Sequence, residues 1–145
     1  MALIKNIQLG TIGFSMSNDI ETRISQIQQI LEESKSRISE IEGLLLVTRD
    51  GLPIASTSTL ADSTDEDRMS AMAAASLNLA ERVVMELSKG TLKEMVIKGD
   101  SGLIIVIQVG EEAVLTATTS SDAKLGLILL ELKRSAKSVV QILDE

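Results

Sequence analysis

Apolar residues recur at threes and fours from Ile20 through Ile24, Ile27, Leu31 and Ile38 to Ile41, and only Ser34 breaks the stripe. That period predicts a helix over 18–42, lying on a core by one face. Asn18 with Glu21 reads as its capping box and Gly43 as its stop. A short coiled coil is the alternative. Leu44 to Val47 then run without a break, followed by Arg49-Asp50-Gly51 and Leu52-Pro53-Ile54-Ala55-Ser56. Asp-Gly between apolar runs predicts a hairpin. Pro53 lacks an N–H, so it belongs at a strand start or on a sheet edge.

Ser63 with Glu66 reads as a second capping box, and Asp65 and Asp67 suit the positive end of the helix it opens. That helix runs to about Ser88, and its apolar residues occupy most of its circumference. A helix of this kind is covered on more than one side. Its own sheet supplies one cover, and a chain this short has little left to supply another. Gly90 ends it. Strand 91–98, the turn Gly99-Asp100-Ser101-Gly102, strand 103–107, the turn Gly110-Glu111-Glu112 and strand 113–118 follow. Tight turns make these three strands antiparallel. The unbroken apolar runs 44–47 and 103–107 call for burial on both faces.

A last helix over 122–143, opened by Ser121 or Asp122, carries Leu125, Ile128, Leu129, Leu132, Ala136, Val139, Val140 and Leu143 on its apolar side. Gly126 in its first turns costs about 1 kcal/mol against Ala, which close approach of a neighbour would offset. The result is an α+β fold of order α-β-β-α-β-β-β-α, a five-stranded antiparallel sheet between helices on both faces. Residues 18–145 form the domain; residues 1–17 are an N-terminal extension that fits either an extra strand or a loose tail.

Composition narrows the function by exclusion. The chain has 145 residues, 44% hydrophobic, enough for one core without staples. There is no His and no Cys, so the usual general base, the commonest metal ligand and thiolate chemistry are all missing. Phe14 is the only aromatic residue, and the net charge is -7, which together disfavour stacking on bases or binding a duplex. No apolar run approaches the ~20 residues of a membrane span, and no secretory signal is visible, which leaves the cytoplasm as the expected location and no direct membrane insertion. Phosphate-loop, dinucleotide, zinc-protease and hydrolase motifs are absent. Asp62, Asp65, Glu66 and Asp67 lack the spacing of a calcium loop and read as helix capping. Glu111 and Glu112 read as turn solvation. No catalytic, cofactor or metal site is expected. Arg49 and Asp50 serve either turn chemistry or a partner-contacting tip. Met69, Met72 and Met85 are either core fillers or an adaptable subunit interface.

Four stretches resemble the Roadblock/LC7 family over about residues 26–143: EIEGLLLVTRDGLPIAST at 40–57, MSAMAAASLNLAERVVMEL at 69–87, EMVIKGDSGLIIVIQVGEEAVLTATTS at 94–120 and DAKLGLILLELKRSAKSV at 122–139. The type most similar is the homodimeric bacterial polarity regulator of a Ras-like GTPase. The resemblance implies a non-enzymatic homodimer, joined through the third strand and the second helix into a ten-stranded sheet. It implies a regulator or scaffold for a Ras-like small GTPase, stimulating hydrolysis or only binding. The alternative is a structural adaptor in a larger assembly with no GTPase. The expected dimer residues are Met69, Met72, Ala73, Ser76, Ala80 and Val84 on the helix and Met95, Val96 and Ile97 on the strand. Arg49 and Arg82 are the expected partner contacts.

Overall fold

The computed structural model describes residues 3–5, 14–57 and 63–144. Its elements are α1 (Phe14–Arg37), β1 (Ile41–Thr48), β2 (Pro53–Ser56), α2 (Ser63–Glu86), β3 (Glu94–Gly99), β4 (Gly102–Val109), β5 (Ala113–Thr119) and α3 (Leu125–Leu143). The five strands form one antiparallel sheet of order β2-β1-β5-β4-β3. The fold class expected from the sequence is the one observed. Pro53 opens β2, an edge strand, where its missing N–H costs nothing.

Several boundaries differ. α1 ends at Arg37, not at residue 42, and Ile41 begins β1, buried and paired with Thr119. Ile38 and Ile41 sit at helical spacing, but β-branched residues suit a buried strand equally, so periodicity alone does not separate the two. α1 also starts at Phe14, so Asn18 lies within the helix and not at its start. In the N-terminal extension, residues 3–5 are helical, and Leu3 and Ile4 are fully buried in the main core; the expectation of a strand or a loose tail over residues 1–2 and 6–13 lies outside the described residues. β3 starts at Glu94, not at residue 91. α3 starts at Leu125 behind Lys124, with no side-chain cap, so neither Ser121 nor Asp122 opens it.

The two faces of the sheet are unequal. α1 lies over β1 and β2 and α3 over β4, and the two helices pack on each other. The core beneath them is the larger one and includes Leu31, Leu44, Leu46, Ile105, Leu115, Ile128 and Leu132. On the other face α2 is the one helix among the described residues, and it lies mainly over β1, β2 and β5. Its core is small: Leu45, Val47, Leu77, Val106 and Val114. Leu44 to Val47 are buried on both sides as the unbroken run requires, whereas Ile104 within 103–107 is 40% exposed.

Two glycines are set by geometry. Gly51, at φ +94°, ends the Asp-Gly turn beneath α2, where a Cβ would sit 3.3 Å from the Ala71 Cα. At Gly102 a Cβ would lie 1.9 Å from the Thr119 carbonyl oxygen, so no side chain fits. Gly126 is the reverse case. Apart from its own stretch of helix, no atom of the described residues lies within 4 Å of the place a Cβ would take, so the close approach expected there is not made among them.

Ser34, the break in the α1 stripe, has a specific use. Its hydroxyl donates to the Glu131 carboxylate of α3 at 2.9 Å. Glu131 is buried and also takes Arg37 at 3.5 Å and Arg134. A buried carboxylate must be paired and hydrogen-bonded to be tolerated, and this cluster fixes α1 against α3. Ser34→Ala is expected to lower the unfolding free energy by about 1.5–3 kcal/mol, the range for a hydrogen bond to a charged group. Urea unfolding checks this, and an unchanged midpoint would contradict it.

Candidate protein-binding face

The candidate site grows from the unequal covering of the sheet. α2 buries Ser70, Ala73, Ala74 and Leu77 against the strands. Small residues at 70, 73 and 74 let the helix sit low on the sheet, one or two turns apart on a single face. Its opposite side carries Met72, Ala75, Leu79 and Val83, all exposed, at spacings of three and four. Leu79 is 64% and Val83 47% exposed. Beside the helix, β3 and β4 present Met95, Ile97, Ile104 and Val106 from the same face of the sheet. Between them runs a groove of about 220 Å³ lined by Met69, Met72, Ala73, Ser76, Met95, Ile97, Ile104, Val106, Thr116 and Thr118. The buried Thr116 hydroxyl lies in this largely apolar lining with no hydrogen-bond partner among the described residues.

The residues singled out from the sequence fall into three groups. Met69, Met72, Ala73, Ser76, Met95 and Ile97 are brought together around the groove. Ala80 and Val84, half-buried, lie further along α2. Val96 points to the other face of the sheet, beside Leu103 and Leu125. Ala73 is largely buried against the sheet at the floor of the groove. Leu79, Val83 and Ile104, not among the residues expected at an interface, are exposed. Leu79 follows Met72, and Val83 follows Ser76, by seven residues, two helical turns on one stripe, and that spacing was the available signal. Ile104 is legible only once its pairing with Ile97 is known.

Arg49 and Arg82 are held differently. Arg49 Nη2 contacts Glu81 Oε1 of α2 at 2.5 Å, with both side chains partly buried. The Arg49 amide also donates to the Glu112 carbonyl at 3.0 Å, so the β1–β2 tip is tied to α2 and to the β4–β5 turn. Arg82 is exposed and pairs along its own helix with Glu86 at 2.9 Å. Among the described residues, no group of three or more acidic side chains is placed to hold a metal ion. Among them, too, no helix is long and apolar enough to cross a membrane. Leu125, expected on the apolar side of α3, is exposed. Leu127 and Leu130 of α3 are exposed as well.

Comparison with known proteins agrees with this architecture. The Roadblock/LC7 domain matches residues 27–119. An uncharacterized protein of Methanocaldococcus jannaschii is 37% identical over 99 residues, covering 68% of this chain and 84% of the relative. The Roadblock/LC7 domain from Streptomyces avermitilis is similar in structure, with a TM-score of 0.76 at 21% identity, covering 81% of this chain and 98% of that one. MglB of Myxococcus xanthus gives a TM-score of 0.74 at 16% identity, covering 83% and 90%.

The two arginines predict different costs. Arg49→Ala removes a partly buried ion pair that anchors a hairpin, and is expected to destabilise the fold by about 1 kcal/mol. Arg82→Ala removes an exposed pair and is expected to stay within about 0.5 kcal/mol of the parent. Thermal unfolding of both variants checks the ranking, and equal effects would contradict it.

Proposed function

The chain belongs to the Roadblock/LC7 domain family, and from that membership we propose that it works as a homodimeric scaffold or regulator that binds a Ras-like small GTPase. Family members are non-catalytic scaffolds, and the chain's lack of His and Cys fits that role. The observation that carries the dimer is the half-covered sheet face, where an apolar groove opens beside β3, the last strand of the sheet. A free edge is a template for another strand. A second copy laid edge to edge would place its own α2 across the groove, and a twofold contact of this kind needs one self-complementary patch. An interface of about 800 Å² a side, ordinary for a stable complex, would take about a tenth of the 8159 Å² surface.

The GTPase rests on the family resemblance, and the chemistry of the face limits how such a partner is served. Arg49 is committed to Glu81. Arg82 is solvated and offers no preorganised charge. Stimulation of hydrolysis, where it occurs, then works by positioning the GTPase's own residues. Arg82→Ala is expected to leave stimulated hydrolysis within a few-fold, far from the 10³-fold or greater loss that follows removal of an arginine finger. A loss of that size would overturn the positioning mechanism. Dimerisation without affinity for any Ras-like GTPase of the same organism would favour the adaptor role.

Leu79→Lys tests the dimer. Leu79 is exposed within one chain, so the fold tolerates the charge. A charge at Ala73 would instead disturb the subunit's own core. The Leu79→Lys variant is expected to sediment as a folded monomer while the parent sediments as a dimer, and Ser39→Glu, in the exposed turn after α1, is expected to leave the mass unchanged. A Leu79→Lys protein with the parent's mass at every concentration would contradict the assignment of this face.

A further inference from the structure

The edge strand β3, with Lys93 just before it, reads Lys93-Glu94-Met95-Val96-Ile97-Lys98-Gly99, and among the described residues it pairs with β4 alone. About Val96 the sequence is symmetric in hydropathy and opposite in charge: Met95 mirrors Ile97, and Glu94 mirrors Lys98. Resting on the homodimer proposed above, we infer that β3 pairs with β3 of a second copy about a twofold axis through Val96, setting each Glu94 opposite the second copy's Lys98.

The register follows from side-chain direction. Residues directly opposite in an antiparallel pair point to the same face of the sheet. Met95 and Ile97 face the α2 groove, whereas Val96 lies on the side of Leu103 and Leu125. Glu94 is on that second side as well, since its carboxylate reaches Lys133 of α3 at 4.0 Å. A continuous apolar face across the seam therefore requires the axis to pass through a residue, not between two. Three residues at the middle of the strand qualify. An axis through Met95 sets Glu94 against Val96 and Lys93 against Ile97, so that charge meets hydrocarbon. An axis through Ile97 sets Glu94 against Asp100 and Val96 against Lys98; like charges directly opposite are destabilising. The axis through Val96 sets Met95 against Ile97, Val96 against itself and Glu94 against Lys98. Opposite charges then meet twice, by symmetry, and the apolar positions meet each other. The same charges that would oppose pairing in any other register select this one, which is how edge strands combine pairing with specificity.

The test is a charge exchange read by sedimentation over a dilution series. Glu94→Lys and Lys98→Glu each place like charges across the seam at both symmetric positions. Each variant alone is expected to dimerise about tenfold or more weakly than the parent, because two attractive cross-strand pairs become repulsive. Mixed one to one, the two variants are expected to form a heterodimer near the parent's affinity. In that heterodimer one cross-strand pair has its charges exchanged, the other is the native pair of Glu94 with Lys98, and both attract. The double variant Glu94→Lys with Lys98→Glu is expected to recover likewise. Recovery in the mixture also removes the ambiguity that a lysine introduced at position 94 repels Lys133 within its own subunit. About 1 M salt should shrink all these differences, because its screening length is about 3 Å. A parent dimer with no preferential pairing in the mixture would overturn the register and leave the dimer standing. A parent that stays monomeric at high micromolar concentration would overturn the dimer itself.

Discussion

The structure turns on a mismatch of widths. Five strands about 4.8 Å apart span about 19 Å between the outer strand axes. One helix with its side chains is about 10–12 Å across. Two helices, α1 and α3, therefore cover one face, and the large core lies beneath them. The single α2 covers the β2-β1-β5 side of the other face, leaving Met95, Ile97 and Ile104 beside it. Apolar area left in this state favours association, at roughly 25 cal/mol for each Å² removed from water before the costs of binding. A second α2 has the width required to complete the layer.

The covered face explains the polar residues placed inside it. Ser34 and Glu131 are two polar groups facing each other between α1 and α3, and their hydrogen bond, with Arg37 and Arg134 closing around the carboxylate, fixes how those helices meet. On the opposite face, Ser56 donates to Glu66 at 2.8 Å and Arg49 pairs with Glu81, so α2 is held toward both its ends to the β1–β2 hairpin. The helix is fixed firmly where it covers the sheet and presents an apolar side where it does not.

Much of the fold was legible because its signals are local. The Asp50-Gly51 turn, Pro53 at an edge, the double-faced run Leu44 to Val47 and the apolar girth of the second helix each have one physical meaning. The misreadings share a cause. Ile38 and Ile41 suit a helix and a buried strand alike, so the end of α1 depends on tertiary pairing with Thr119. Leu3 and Ile4 gave no period long enough to reveal that they join the core. For the candidate face, the sequence signalled that the second helix needs two covers but not which residues stay open. Ala73, an expected dimer residue, lies largely buried at the floor of the groove, while Leu79 and Val83 are exposed. Girth is a property of composition, whereas direction depends on where the sheet lies.

Hydrogen exchange along β3 tests the central claim at the residues concerned. In a lone subunit the amides of 94–99 that point away from β4 face water, because β3 is the last strand of the sheet. Completion of the sheet by a second copy predicts that these amides exchange slowly at high micromolar concentration and lose that protection on dilution, while β1 and β5 remain protected throughout. Rapid exchange of the outward β3 amides at every concentration would show that nothing covers this edge and would contradict the account.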